Sequence, residues 1–252
     1  MCGAQIIIPP ATAPRGAPAN TDRDQAAPPI RAGAAHRSID VRALCAELLR
    51  WEGNKPFMYA DTRGHVTTGI GNKLAGVGDA VALPWQHRDT GLPATPAEIQ
   101  SAFERVQARF DDFRRANPDP KQSAAAGYYA NTTDLVLPPE AVTALASSRI
   151  EGFLKSLRRL FPGFDGYPIP AQRALVDMTY TLGAKGLEQK FPTLVAACRS
   201  GDFSAAARHC HRKVLANEHR PADARNAMTS GLFTEAARLT ATIGTLTTEV
   251  RP

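Results

Sequence analysis

The stretch that decides the fold is Trp51-Glu52-Gly53 followed by Phe57-Met58-Tyr59-Ala60-Asp61-Thr62-Arg63-Gly64-His65-Val66-Thr67-Thr68-Gly69-Ile70-Gly71. Upstream of it, Val41, Leu44, Cys45, Leu48 and Leu49 recur at helical spacing and form one apolar stripe. That spacing predicts a helix from a cap at Ser38 or Asp40 to about Trp51. Glu52 continues the stripe, and Gly53 is placed to close the helix as a left-handed cap would. A carboxylate at a helix end on the inward face is costly unless something uses it. Asp61 to Gly64 is a turn signature between two short β-prone runs, which predicts a hairpin. Gly69 and Gly71 in the return strand allow another segment or a ligand to approach closely.

Working outward, Ala75 to Thr95 reads as loop, and Thr95-Pro96-Ala97-Glu98 as a capping-box start for a helix through Arg115. Asn117 to Asp134 is a polar, Ala-rich connection. Pro138-Pro139-Glu140 opens a helix to about Leu160, and Pro170 opens a strongly apolar one that Gly183 stops after Leu182. Pro192 to Arg199 and Phe203 to Val214 form a helical hairpin across Ser200-Gly201-Asp202, and Asp223 to Leu239 holds the last substantial helix. The expected class is α+β and mostly helical, with a small β-hairpin lobe and a larger helical lobe. Residues 1–37, rich in Ala and Pro, read as a disordered tail, 38–240 as the folded domain and 241–252 as a second tail.

Composition narrows the function classes. With 43% hydrophobic residues among 252, the chain is not wholly disordered. Cysteines at 2, 45, 198 and 210 are too few and too scattered for a disulfide scaffold. No apolar run approaches the ~18 residues of a membrane span. Met1 to Ile8 has no basic region, so no secretory signal peptide is expected. A net charge of +6 favours anionic partners but lacks the motifs or basic stripes of nucleic-acid readout.

Glu52 and Asp61 are the candidate catalytic pair. Glycoside hydrolysis needs a proton donor for the leaving oxygen and a second carboxylate that activates water or offsets oxocarbenium charge. The two must differ in pKa, which different environments supply. Glu52 on an apolar helix face should favour its protonated form, whereas Asp61 in a polar turn should stay ionised. Thr67 is placed to hold a water beside Asp61.

These residues carry a resemblance. A helix ending in Glu52-Gly53, the Tyr59-x-Asp61-x-x-Gly64 turn and the Thr67-x-Gly69-x-Gly71 strand resemble the active-site segment of the phage-type lysozymes, a glycoside hydrolase family. Gln172 to Gly183 looks like that family's buried central helix, and Phe191-Pro192-Thr193-Leu194 with Gly201-Asp202-Phe203 like the helical hairpin after it. The resemblance covers Ser38 to Phe233, interrupted by Ala75 to Leu137, which is far longer than the usual connection. It implies a lysozyme-like fold and a muramidase cleaving the MurNAc-β-1,4-GlcNAc bond of bacterial peptidoglycan. By position Glu52 would be the proton donor, Asp61 the second carboxylate, Thr67 the residue beside the attacking water, and Arg225 the arginine facing Glu52. Lys73, Tyr180, Thr193 and His209 fall near glycan-contact positions. The chain departs from the pattern at Asn72, where many members carry His, and in the insertion around 75–137. That insertion is either part of the cleft or a cover over it, or a tolerated surface addition.

Neither metal nor cofactor is expected. His209, Cys210 and His211 are consecutive on the predicted helix and point in different directions, and no CxxC accompanies them. A Cys198–Cys210 disulfide across the helical hairpin would matter only after export. Lys155, Arg158 and Arg159 form a basic patch, a solvated face or an attractor of cell-wall carboxylates. The competing classes are a non-catalytic peptidoglycan-binding module, a lytic transglycosylase on the same fold, and lysis by an amphipathic helix. A monomer made in the cytoplasm is expected, acting in the periplasm or wall of a target bacterium. It would be a phage endolysin freed by a pore, or an antibacterial effector with a secretion-machinery carrier and an immunity protein.

Overall fold

Asp40 sets the start of the first helix: its carboxylate accepts the backbone N–H groups of Arg42 (2.8 Å) and Ala43 (3.2 Å), two donors that otherwise have no intrahelical partner. A computed structural model of the chain describes residues 39–212 and 222–249, without the side chains of residues 52, 222, 223 and 243–249. The expected N-terminal tail, the Ser38 cap, Val214 and the Glu52 side chain lie outside the described residues. Helix α1 (Val41–Glu52) buries Leu44, Cys45 and Leu48, as the stripe predicts. Gly53 ends it with φ 69° and ψ 153°, so positive φ is used but with an extended rather than left-handed ψ.

Strands β1 (Lys55–Ala60), β2 (Val66–Gly69) and β3 (Asn72–Lys73) form an antiparallel sheet in that order. Opposed positions are Tyr59 with Thr67, Thr67 with Lys73, and Thr68 with Asn72. Opposed and alternate residues share a face of a sheet. Tyr59, Thr67 and Lys73 therefore stand on one face, while Met58, Ala60 and Val66 on the other are buried.

The buried face has a core of its own, which residues from the section 75–137 complete. Helix α2 (Val77–Val81), strand β4 (Gln86–His87), helix α3 (Pro96–Ala116), a 3-10 turn at Ala126–Tyr129 and strand β5 (Leu135–Val136) follow β3. Ile99, Phe103 and Val106 of α3, with Trp85, Tyr129 and Leu135, pack with Met58, Ala60, Val66 and Leu74. The expected loop over Ala75 to Thr95 is thus partly ordered. Trp85 is buried and donates its indole N–H to the Ala80 carbonyl (2.8 Å), and β4 pairs with β5. The capping box at Thr95 and Glu98 is present as predicted.

The helical lobe comprises α4 (Pro139–Leu160), α5 (Ile169–Lys190), α6 (Pro192–Ser200), α7 (Phe203–His209) and α8 (Ala222–Glu249). From Pro170 to Thr179, α5 is buried almost all round. Gly183 breaks the helical geometry (φ 70°, ψ 159°) but does not stop the element, because the buried Leu187 anchors a further helical stretch to Lys190. Helix α7 ends at His209, short of the expected Val214. The next segment is drawn away by Arg212, whose backbone N–H and carbonyl bond the Asn226 side chain at 3.1 and 2.9 Å. Helix α8 continues past Leu239 and through the start of the expected C-terminal tail at 241, and the Thr240 and Thr242 hydroxyls donate to carbonyls one turn back. The architecture is α+β and mostly helical, with eight helices among the described residues. No described helix is long and apolar enough to cross a membrane.

Candidate active site

Asp61 organises its own turn. Oδ1 accepts the backbone N–H groups of Arg63 (2.8 Å) and His65 (2.9 Å), an arrangement typical of short acidic side chains in turns. Lys73 Nζ lies 2.9 Å from Oδ2, and His65 Nδ1 lies 3.2 Å from both oxygens. Partial burial pushes the Asp61 carboxyl up, but the Lys73 hydrogen bond, the His65 and Arg63 amides and the Lys73 charge outweigh it. The carboxyl therefore titrates below its ordinary range and is an anion at neutral pH. Gly64 makes the turn possible: it adopts φ +84°, and a Cβ there would stand 2.7 Å from the Phe110 ring of α3.

Thr67 is buried beside this turn, and its hydroxyl donates to the His65 carbonyl at 3.0 Å. The hydroxyl proton is thus committed, leaving an oxygen that can still accept. With Tyr59 and Lys73 opposite it, the sheet face gathers a phenol, a hydroxyl, an ammonium and an ionised carboxylate. Glu52 is the final residue of α1, three positions ahead of β1 on the chain.

The β2–β3 turn is where the lobes meet. Ile70 is 1% exposed and belongs to the helical core, whereas the strand residues around it belong to the other core. Full burial of such a side chain stabilises by about 1.5–3 kcal/mol. The Tyr180 hydroxyl of α5 donates to the Ile70 carbonyl, and the Arg149 guanidinium of α4 donates to the Gly71 carbonyl. Both guanidinium groups, Arg149 at 5.0 Å and Arg225 at 5.9 Å, lie within cation–π range of the Tyr180 ring.

Arg225 is itself held by Asp177. Its Nε and Nη2 are both 2.8 Å from Asp177 Oδ1, while Arg212 Nη2 (2.8 Å) and the Thr229 hydroxyl (3.1 Å) reach Oδ2. Side-chain exposures of 7% for Asp177, 10% for Arg212 and 15% for Arg225 make this a largely desolvated ion triple.

Of the residues singled out in the sequence, the structure gathers Asp61, Thr67 and Lys73 on one sheet face and joins Tyr180 and Arg225 at the lobe junction. Lys73 meets Asp61 directly, and the Tyr180 hydroxyl is engaged by backbone. Thr193 and His209 are exposed on the α6–α7 hairpin, and no hydrogen bond or ion pair among the described residues joins them to that face. Sequence reasoning missed Arg149, Asp177 and Arg212. Asp177 left a trace, a lone carboxylate in the apolar run Leu175-Val176-Asp177-Met178. Arg149 sits in an ordinary amphipathic helix and left none. No group of three His, Cys, Asp or Glu side chains among the described residues gathers as a metal would require. Cys210 is buried and lies past the end of α7 rather than on it, with exposed His209 and His211 on either side. Cys198 and Cys210 are both buried free thiols, and burial pushes the Cys198 thiol up to about 12. Of the basic patch, Arg158 is paired with Asp165 at 3.0 Å.

No family model matches the chain, and no curated protein matches it.

Proposed function

We propose that this chain is a lysozyme-type glycoside hydrolase that cleaves the MurNAc-β-1,4-GlcNAc bond of bacterial peptidoglycan. The observation that carries the reading is the Asp61 carboxylate, ionised and held on the same face as Thr67, in a hairpin that directly follows a helix ending in Glu52. A carboxylate kept charged in this way suits the charge-stabilising member of a two-carboxylate pair, whose other member must bear a proton. In this reading Glu52 protonates the glycosidic oxygen, and Asp61 offsets the positive charge that develops on the sugar or orients a water. Thr67 accepts a hydrogen bond from that water. The net charge of +6 suits a glycan bearing carboxylates.

The test is mass spectrometry of products from purified peptidoglycan treated with wild type, Glu52→Gln and Asp61→Asn. Disaccharide muropeptides with reducing MurNAc ends are expected from wild type. Glu52→Gln should lose about 10²–10⁴-fold in rate, the general-acid contribution. Full activity of Glu52→Gln ends the assignment, and anhydro-MurNAc ends redirect it to a lytic transglycosylase.

A further inference from the structure

We propose that Lys73 is a positioning residue of this site, one that fixes the orientation and the charge of the Asp61 carboxylate; the inference rests on the hydrolase reading above. Strand β3 has only two residues, and its pairing with β2 sets the Lys73 side chain on the face that carries Thr67. Asp61 Oδ1 is already taken by the two turn amides, which leaves Oδ2 as the oxygen that can swing. Lys73 Nζ closes on that oxygen at 2.9 Å. With amides on one oxygen and an ammonium on the other, the carboxylate has no free rotation and little tendency to take a proton. Asp61 is thereby excluded from proton donation, and that task falls to the other carboxylate of the pair.

The other titratable group against Asp61 is His65, whose Nδ1 is 3.2 Å from both carboxylate oxygens and 3.4 Å from Lys73 Nζ. From β1, Lys55 extends over the Tyr59 ring at 5.8 Å. From α3, the contact at the turn is the apolar Phe110 ring on Gly64. Lys73, with its side chain 54% exposed, can be replaced without opening a core.

The experiment pairs a carboxyl NMR titration of Asp61, assigned with Asp61→Asn, with the pH profile of peptidoglycan cleavage. Both are run on the full chain as wild type, Lys73→Met and Lys73→Arg. Lys73→Met should move the Asp61 midpoint and the acid limb of the profile to higher pH together, and Lys73→Arg should return both toward wild type. An Asp61 midpoint that is the same in wild type and Lys73→Met overturns the proposal. So does a midpoint that moves while the acid limb stays, because Asp61 would not then govern the reaction. A rate loss uniform across pH with the midpoint unmoved makes Lys73 a substrate contact and likewise overturns it. If Glu52→Gln still cleaves, the hydrolase assignment fails, while the Asp61 midpoint continues to report on Lys73.

Discussion

Asp177→Ala should be among the most destabilising substitutions in this chain. The carboxylate receives four contacts of 2.8–3.1 Å from Arg225, Arg212 and Thr229. Its removal leaves two guanidinium groups, 10% and 15% exposed, facing each other without their shared anion. Breaking a buried pair by removing one partner costs about 3–5 kcal/mol, mostly the cost of the stranded charge. In a domain of this size each kcal/mol lowers Tm by about 2–4 °C, so a drop of ~6–20 °C is expected in calorimetry. The penalty should be smaller when Arg212→Met is added, since one stranded cation is then gone, and a double-mutant cycle reads that coupling. Raising the salt concentration should change the loss little, because buried charges are weakly screened. A loss below about 1 kcal/mol, the range of solvated pairs, would refute the argument that this triple is desolvated.

Two further outcomes follow from the β-lobe. Gly64→Ala forces a side chain into φ +84° and against the Phe110 ring, so a loss of at least about 1–2 kcal/mol is expected from the backbone alone. Urea unfolding should show part of it returned by Phe110→Ala in the same chain; a neutral Gly64→Ala would refute the contact. His87 binds Asp134 at 2.9 Å and Glu98 at 3.5 Å, and its pKa is raised chiefly by the Asp134 hydrogen bond. Since the folded value lies above the unfolded one, this contribution is whole below about pH 6.5 and is lost as pH rises through the raised value. His87→Gln should therefore flatten the stability curve above that pH, and an unchanged slope would count against the clamp.

The apolar stripe of α1, the capping box of α3 and the Asp61–Gly64 turn were legible because each is a local pattern in which a few neighbouring residues dictate one backbone shape. The candidate Asp61, with Thr67 opposite Tyr59, follows from the same hairpin register. Boundaries were less legible where distant contacts intervene. Gly183 marks a real break, yet Leu187 finds a place in the core and the helix resumes. Arg212 ends the α7 segment by bonding to a helix that lies beyond residues 213–221.

What the sequence by itself determined is the order of the long helices, the hairpin and the identities of the residues around its turn. Only the tertiary structure decided the role of the section from 75 to 137. Its apolar residues are spread over one long helix and several short elements, and only in three dimensions do they close over the back of the sheet as a second core. The same holds for Ile70 plugging the helical lobe and for Asp177 drawing Arg212 and Arg225 together. These are pairings between residues many positions apart, and periodicity along a chain carries no information about which distant partner will share a buried site. Lys73 shows the division on the smallest scale. Its place on β3 is a matter of local register, but its meeting with Asp61 depends on how the three strands are laid side by side.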